Sequence, residues 1–449
     1  MLSTQAARGQ DSARPAGEFS VAAYGSIQKA IDANPGRMLF VPPGDHPIAE
    51  KIRLRTDRSG LYGPGRIVQA NPEAPIVEIE GASGIELRDL TLTRADGRQE
   101  TRSEAVLAIQ CRDLVLDNLR VLDNRTSSAA ISLRACTRAR VSDCLVQNYM
   151  RISIDDRTSS PDWGYAFRCI DGSGIAASDG CQGTLIRGNR IVEHSLLPTP
   201  EIKHKHGLGK FVKKNAHKGA IFSQKAWDEE YVNNWHQGSA IVVTSPTATD
   251  YVQILGNYIE NAAQGIDVHA DHVIVAQNIV HDAFMGMKAM HGSRNVVIVG
   301  NQFSKNALWS IGLMPGAASQ AGGAGPDAKP IPPNVDGGTI IAQNIISDFG
   351  YGKSHWIWGG SGHDCFPILL DRGQKPDNPP LADVVVQGNI VYDTGRDGVL
   401  VGGAVKAQAP RYKYAVQVST GPGGPKGLHF SGNVFHPGTA GIANVELTP

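Results

Sequence analysis

Ala240-Ile241-Val242-Val243-Thr244, Gly265-Ile266-Asp267-Val268-His269 and Gly286-Met287-Lys288-Ala289-Met290 can be laid over one another. A second short apolar run closing on Asn follows each of them: Val252 to Asn257, Val273 to Asn278 and Val296 to Asn301. The step is 21 residues from Asn257 to Asn278 and 23 from Asn278 to Asn301. A period of about 20 to 25 residues built only from short β runs and turns marks a solenoid. One such unit cannot bury its apolar side alone, so it must stack on its neighbours. The spacing predicts a coil of strands.

Working outward, the same Asn or Asp position recurs at Asp89, Asn118, Asp143, Asn189, Asn344, Asn389 and Asn433. These residues suit a bend, because they tolerate left-handed φ and hydrogen-bond nearby backbone. Stacked in register, they could form an internal amide ladder. The repeats cover roughly residues 77 to 440. With 449 residues, a solenoid can extend one continuous core rather than split into domains. The 51 glycines exceed ordinary usage without a collagen period, as a turn-rich coil requires. Lys and Arg number 43 and Asp and Glu 43, so no overall field favours nucleic acid or a membrane surface. No apolar run approaches the roughly 20 residues that cross a bilayer. Residues 1–18 are polar and lack a signal-peptide core, which leaves the compartment open. None of the six cysteines forms a Cys-x-x-Cys pair, and buried free thiols are expected, with Cys111 and Cys136 close on successive rungs.

Residues 1–18 read as a disordered lead and 19–449 as one domain, its cap at 19–50 and its coils at 51–440. Ser26 can cap a short helix bearing Ile27, Ala30, Ile31 and Ala33, followed by a strand and proline turn, Leu39-Phe40-Val41-Pro42-Pro43-Gly44-Asp45-His46. This arrangement resembles the N-terminal cap of the pectate-lyase-like right-handed parallel β-helix proteins. The resemblance implies an all-β, right-handed parallel β-helix whose open end the helix covers, and a carbohydrate-active protein.

Four insertions interrupt the repeats, at 197–237, 315–338, 351–366 and 402–427. The first carries Lys203, Lys205 and four further lysines through Lys218, then Trp227 and Trp235; the third carries Trp356 and Trp358. Exposed aromatics beside polar groups suit an oligosaccharide cleft, though the same rings could anchor the loops to the coil. The 315–338 loop, rich in Gly, Ala and Pro, shows no obvious chemistry.

Alternation points Ile241, Ile266, Met287 and Ile311 inward. One outward column reads Val242, Asp267, Lys288, Gly312; the next reads Arg134, Asp155, Ser178, Thr244, His269, Met290, Met314, Asp371. Asp267, His269 and Lys288 should then lie together, with His291 at the adjacent bend and Arg372 beside Asp371. A carboxylate, an imidazole and an amine on adjacent rungs can tune one another and move protons. The expected substrate is a polysaccharide or oligosaccharide. The lysine-rich insertion favours an acidic glycan cleaved by β-elimination, with Lys288 or His269 as base and Arg134 or Arg372 as carboxylate clamp. An Asp pair drawn from Asp155, Asp267, Asp271 and Asp371 would instead serve a hydrolase or transglycosylase, and a non-catalytic glycan binder is the third reading. No cofactor is required; calcium is compatible, as in the lyases of this resemblance, and so is a homotrimer. Gly265 to His269 also looks like the Asp-Pro-His motif of mannuronan C5-epimerases, with Val268 in place of proline and Gln264 in place of the tyrosine three residues before the Asp. That likeness implies catalytic roles for Asp267 and His269.

Overall fold

The computed structural model describes residues 19–154, 164–196, 199–214, 224–232, 236–324, 329–353, 356, 365–373 and 375–448. Three parallel sheets of 12 strands each run along it. One turn of the coil is Gln264–Val268 in the first sheet, Ile274–Ala276 in the second and Ile279–His281 in the third, after which Met285–Ala289 re-enters the first. The architecture is a right-handed parallel β-helix, the hand that parallel crossovers prefer. Among the described residues no helix is long and apolar enough to cross a membrane.

The register follows from which side chains can share the lumen. Ile241, Ile266, Met287, Ile311 and Ile368 pair in sequence, as do Val243, Val268, Ala289, Leu313 and Leu370, and all are buried. Each such side chain contributes roughly 1.5–3 kcal/mol when fully removed from water, but only once the next rung covers it. A slip of one residue would turn a whole column outward.

The helix Ile27–Ala33 begins as expected, with the Ser26 hydroxyl accepting from the Lys29 N–H, and it buries Ile27, Ala30 and Ile31. Its Gln28 amide behaves like a piece of strand: Oε1 accepts from the Arg53 N–H at 2.8 Å and Nε2 donates to the Arg53 carbonyl at 3.3 Å. The edge of the first sheet is thereby occupied.

The amide ladder exists at Asn189 through Asn433, where the sequence reading placed it, but the three earlier positions named with it are one residue out of step. From Asn189 through Asn257, Asn278, Asn301, Asn344 and Asn389 to Asn433, each Nδ2 donates to the next Oδ1 at 2.9–3.0 Å. Each of these Oδ1 atoms also accepts the backbone N–H of the preceding Asn. Left-handed φ is carried by the residue before the Asn, including Gly188, Gly256, Gln277 and Gly300. Asp89, Asn118 and Asp143 align with those residues and have positive φ themselves. The ladder position in the early rungs is therefore held by Leu90, Leu119 and Cys144, all buried.

All six cysteines are buried and outside any disulfide. Cys111, Cys136 and Cys181 occupy successive rungs, and the Cys136 N–H meets Cys181 Sγ at 3.3 Å.

Removing one amide from the middle of the ladder strands the backbone donor of the preceding rung in a dry interior. Asn278→Ala should cost on the order of 3 kcal/mol, and Asn433→Ala, at the partly buried end, about half that. Urea unfolding of the two variants checks the difference; equal, negligible losses would show that the ladder carries no stability.

Candidate active site

Asp267 and Lys288 lie opposite each other on the outer face of the first sheet, in the column Val242, Asp267, Lys288, Gly312, Leu369. His269 stands two residues beyond Asp267 on the same face. Its Nε2 is 2.7 Å from Asp267 Oδ1, and Lys288 Nζ is 3.4 Å from Oδ2. This close contact is an ion pair only when the imidazole is protonated. His269 Nδ1 is 3.3 Å from the Thr244 hydroxyl, and the His269 and His291 rings meet edge-on with centroids 4.4 Å apart.

Although it points out of the coil, Asp267 is only 4% exposed and Lys288 9%. Burial pushes the Asp267 carboxyl up, but the neighbouring charges of His269 and Lys288 outweigh it and hold the group well below the usual carboxylate range. The preceding rung carries Val242 and Thr244 at the same positions and the rung after Lys288 carries Gly312 and Met314, so the coil itself does not require charge there.

The insertions leave the coil at its corners on either side of this face. The segments 194–238 and 348–365 precede first-sheet strands Ser239–Val243 and Phe366–Leu370, while 314–336 follows strand Trp309–Leu313. Downstream of Lys288 the face turns apolar, with buried Met290, Met314, Phe366 and Leu369 packed against half-buried Trp309 and Tyr414. The Trp309 ring lies over Gly312, where an added Cβ would sit 2.8 Å from Nε1. Sequence reading missed Trp309 because attention to aromatics fell on the insertions. Its pairing with a glycine in the outward column was the available signal.

The other expected residues fare unevenly. His291 joins the cluster. Arg134 is in the column that holds His269, but three rungs upstream, about 14 Å away at ~4.8 Å per rung, and it is paired with Glu104 at 2.7 Å. Asp371 continues that column three rungs downstream, again about 14 Å away, and is bound to the Ser419 hydroxyl, with exposed Arg372 beside it. Neither arginine reaches Asp267. In the column expected to hold Asp155, Arg134 pairs directly with Ser178, and the described strand Arg151–Ile154 pairs antiparallel with Tyr165–Asp171. Asp155 itself, with Trp235 and Trp358, falls outside the described residues.

Trp227 and Trp356 are anchors rather than exposed platforms. Trp227 is buried against Phe211, with Lys213 over its ring. Trp356 is fully buried, donates from Nε1 to Asn261 Oδ1 at 2.9 Å and packs by His236 and Phe284. Lys203 and Lys205 ride on the helix Pro200–His206, where Lys203 lines a cleft of about 310 Å³ with His204, Lys210 and Tyr231. Gln264, at the place of the epimerase tyrosine, is buried and ties to the Ser239 hydroxyl and the His236 carbonyl. Among the described residues no three His, Cys, Asp or Glu side chains gather as a metal site.

No family model matches the sequence, and no curated protein does. Among solved structures, the Dettilon tailspike protein is similar at 13% identity and TM-score 0.55, covering 93% of this chain and 63% of its own. The Agl-KA catalytic domain is similar at 12% identity and TM-score 0.55, covering 97% of this chain and 68% of its own. The Streptococcus pneumoniae surface protein and adhesin PfbA is similar at 11% identity and TM-score 0.53, covering 96% and 99%. These likenesses establish the shared fold. This chain spans less than two thirds of the tailspike.

A carboxyl whose pKa is depressed on folding stabilises the protein above the ordinary carboxylate range, and that stability is lost as pH falls through its folded value. Wild-type protein should therefore lose stability on acidification below about pH 4 partly through Asp267, and Asp267→Asn should flatten that limb. Thermal melts of both proteins at neutral and acid pH test this; parallel acid limbs would show that Asp267 is not held by its cations.

Proposed function

We propose that this chain is a carbohydrate-active enzyme that cleaves an acidic polysaccharide by β-elimination next to a uronate carboxylate. The observation that carries the reading is Asp267, buried on an outward face between His269 and Lys288 where adjoining rungs have Val, Thr, Gly and Met. The fold alone would not decide activity.

In this reading Lys288 faces the substrate carboxylate and steadies the negative charge that builds when the neighbouring C–H is broken. His269 takes that proton, and Asp267 stabilises the imidazolium formed. The C–O bond to the leaving sugar then breaks; His291 gives its proton to the departing oxygen and recovers one from the adjacent His269 imidazolium, so that both rings end neutral. The atoms balance as one C–H and one C–O bond broken for one C=C and one O–H formed, with no water consumed. Trp309 and the methionine-rich floor beyond Gly312 support a sugar ring packed by its apolar face. The lysines of the 197–237 insertion favour an anionic chain.

Elimination is preferred over hydrolysis by an Asp pair on geometric grounds. Two carboxyl groups must flank the bond at roughly 5–9.5 Å. Among the described residues of the two columns, Asp371 is the next carboxylate after Asp267 in the downstream direction, and it lies on another column three rungs from His269.

Purified protein incubated with a panel of acidic and neutral polysaccharides should release reducing ends and the ultraviolet absorbance of an unsaturated uronate together, on an acidic member. Lys288→Met and Asp267→Asn should each lower kcat by at least about tenfold, within the range of lost acid–base assistance. Reducing ends without absorbance would replace elimination by hydrolysis, and full activity in both variants would remove this site from the reaction.

A further inference from the structure

The loop read from sequence as chemically silent is built around His291. We infer that the described parts of this insertion, 315–324 and 329–336, form a tautomer clamp, which fixes the proton of the neutral His291 ring on Nε2 and makes Asn334 and Asp336 positioning residues for the site.

The key contact comes from the backbone. The Ala318 N–H donates to His291 Nδ1 at 3.3 Å. A ring nitrogen can accept a hydrogen bond only through its lone pair, so in the neutral ring the proton belongs on the other nitrogen. Gly316 lies against the same edge of the ring; a Cβ there would be 2.2 Å from Nδ1. The approach that delivers the Ala318 amide therefore depends on a missing side chain.

Two buried side chains lock this geometry to the coil. Asn334 Nδ2 donates to the His291 carbonyl and to the Ala318 carbonyl, each at 2.8 Å, joining the histidine's own backbone to that of its partner. Asp336 Oδ1 accepts the N–H groups of Gly292 and Ser293, the two residues after His291, at 2.9 and 3.0 Å. Its Oδ2 accepts from the Ser319 hydroxyl at 2.5 Å, and that hydroxyl accepts the Gly316 N–H at 2.8 Å. Asn334 and Asp336 are 4% and 2% exposed. The chain is fixed on both sides of the ring by the same loop that presents the amide to it.

Such a network is more than loop anchoring needs. An anchor requires buried contacts somewhere on the coil, whereas these converge on one histidine and on its two following peptide groups. That histidine meets the His269 ring edge-on. With Nδ1 occupied, Nε2 is the nitrogen able to give a proton. The catalytic meaning of this rests on the elimination proposed above; the tautomer assignment does not.

The experiment is long-range ¹H–¹⁵N correlation on protein labelled at histidine, with His291 assigned by the signal lost in His291→Gln. Wild-type protein at neutral pH should show the Nε2–H pattern, with Nδ1 unprotonated. In Asn334→Ala the pattern should move towards averaged tautomers. Turnover should fall by about tenfold or more with KM changed much less, and Asn334→Gln should restore neither, because the longer side chain cannot span the same two carbonyls. Asp336→Ala should likewise lose the pattern, and Asp336→Asn, which keeps an oxygen for the two backbone donors and an amide for Ser319, should restore it. A proton on Nδ1 or averaged tautomers in wild-type protein would overturn the clamp, as would an unchanged pattern in Asn334→Ala. If the Nε2–H pattern holds while no polysaccharide is cleaved, the clamp stands and the proposed reaction fails.

Discussion

In-register parallel pairing is the constraint on which everything else in this molecule depends. Each strand meets its neighbour one rung away, so a residue's environment is set by what stands directly above and below it. The lumen accepts apolar columns because each Ile or Val is closed over by the next. The amide ladder from Asn189 to Asn433 works for the same reason, every Oδ1 from Asn257 onward taking both a side-chain and a backbone donor from the preceding rung. The N-terminal helix and Gln28 finish the end where no rung follows.

The same constraint gives meaning to an exception. A column that is Val on the rung before and Gly and Leu on the two rungs after becomes Asp267 and Lys288 on two adjacent ones, and the next column brings His269 beside them. Removing a carboxylate and an ammonium from water costs several kcal/mol per ion, and their mutual attraction often does no more than offset it. Such a set is weak as a brace for a coil already held by its core and ladder. It is well suited to holding charge and protons against a ligand laid along the outer face. Trp309 and the methionines downstream, with the His291 loop at the side, give that face two distinct ends.

Sequence showed what repetition shows. The coil, the cap, the columns bearing Asp267, His269 and Lys288, and His291 at the adjacent bend were legible because the period fixes both rung and face. The ladder was read correctly from Asn189 onward but extended three rungs too early, since Asp89, Asn118 and Asp143 share its residue types but occupy the neighbouring turn position, where Gly or Gln later stands. Arg134 and Asp371 were placed in the right column, yet a column extends along the whole coil and says nothing about reach. Trp227 and Trp356 could not be separated from ligand platforms, because only tertiary packing shows which rings are covered. The 315–336 loop escaped notice for a deeper reason. Its work is done by a backbone N–H, a glycine's missing side chain and two turn-forming residues, none of which has a distinctive letter in the sequence.

The most direct test of the claim that the charged set serves chemistry and not the coil is to rewrite it in the language of the preceding rung. Asp267→Val, His269→Thr and Lys288→Val together copy Val242 and Thr244 onto the site. The melting temperature of this triple variant should equal or exceed that of the wild type, because uncharged outward residues already suit adjacent rungs, while glycan turnover is lost. A triple variant that melts well below the wild type, or that still turns over glycan, contradicts the account.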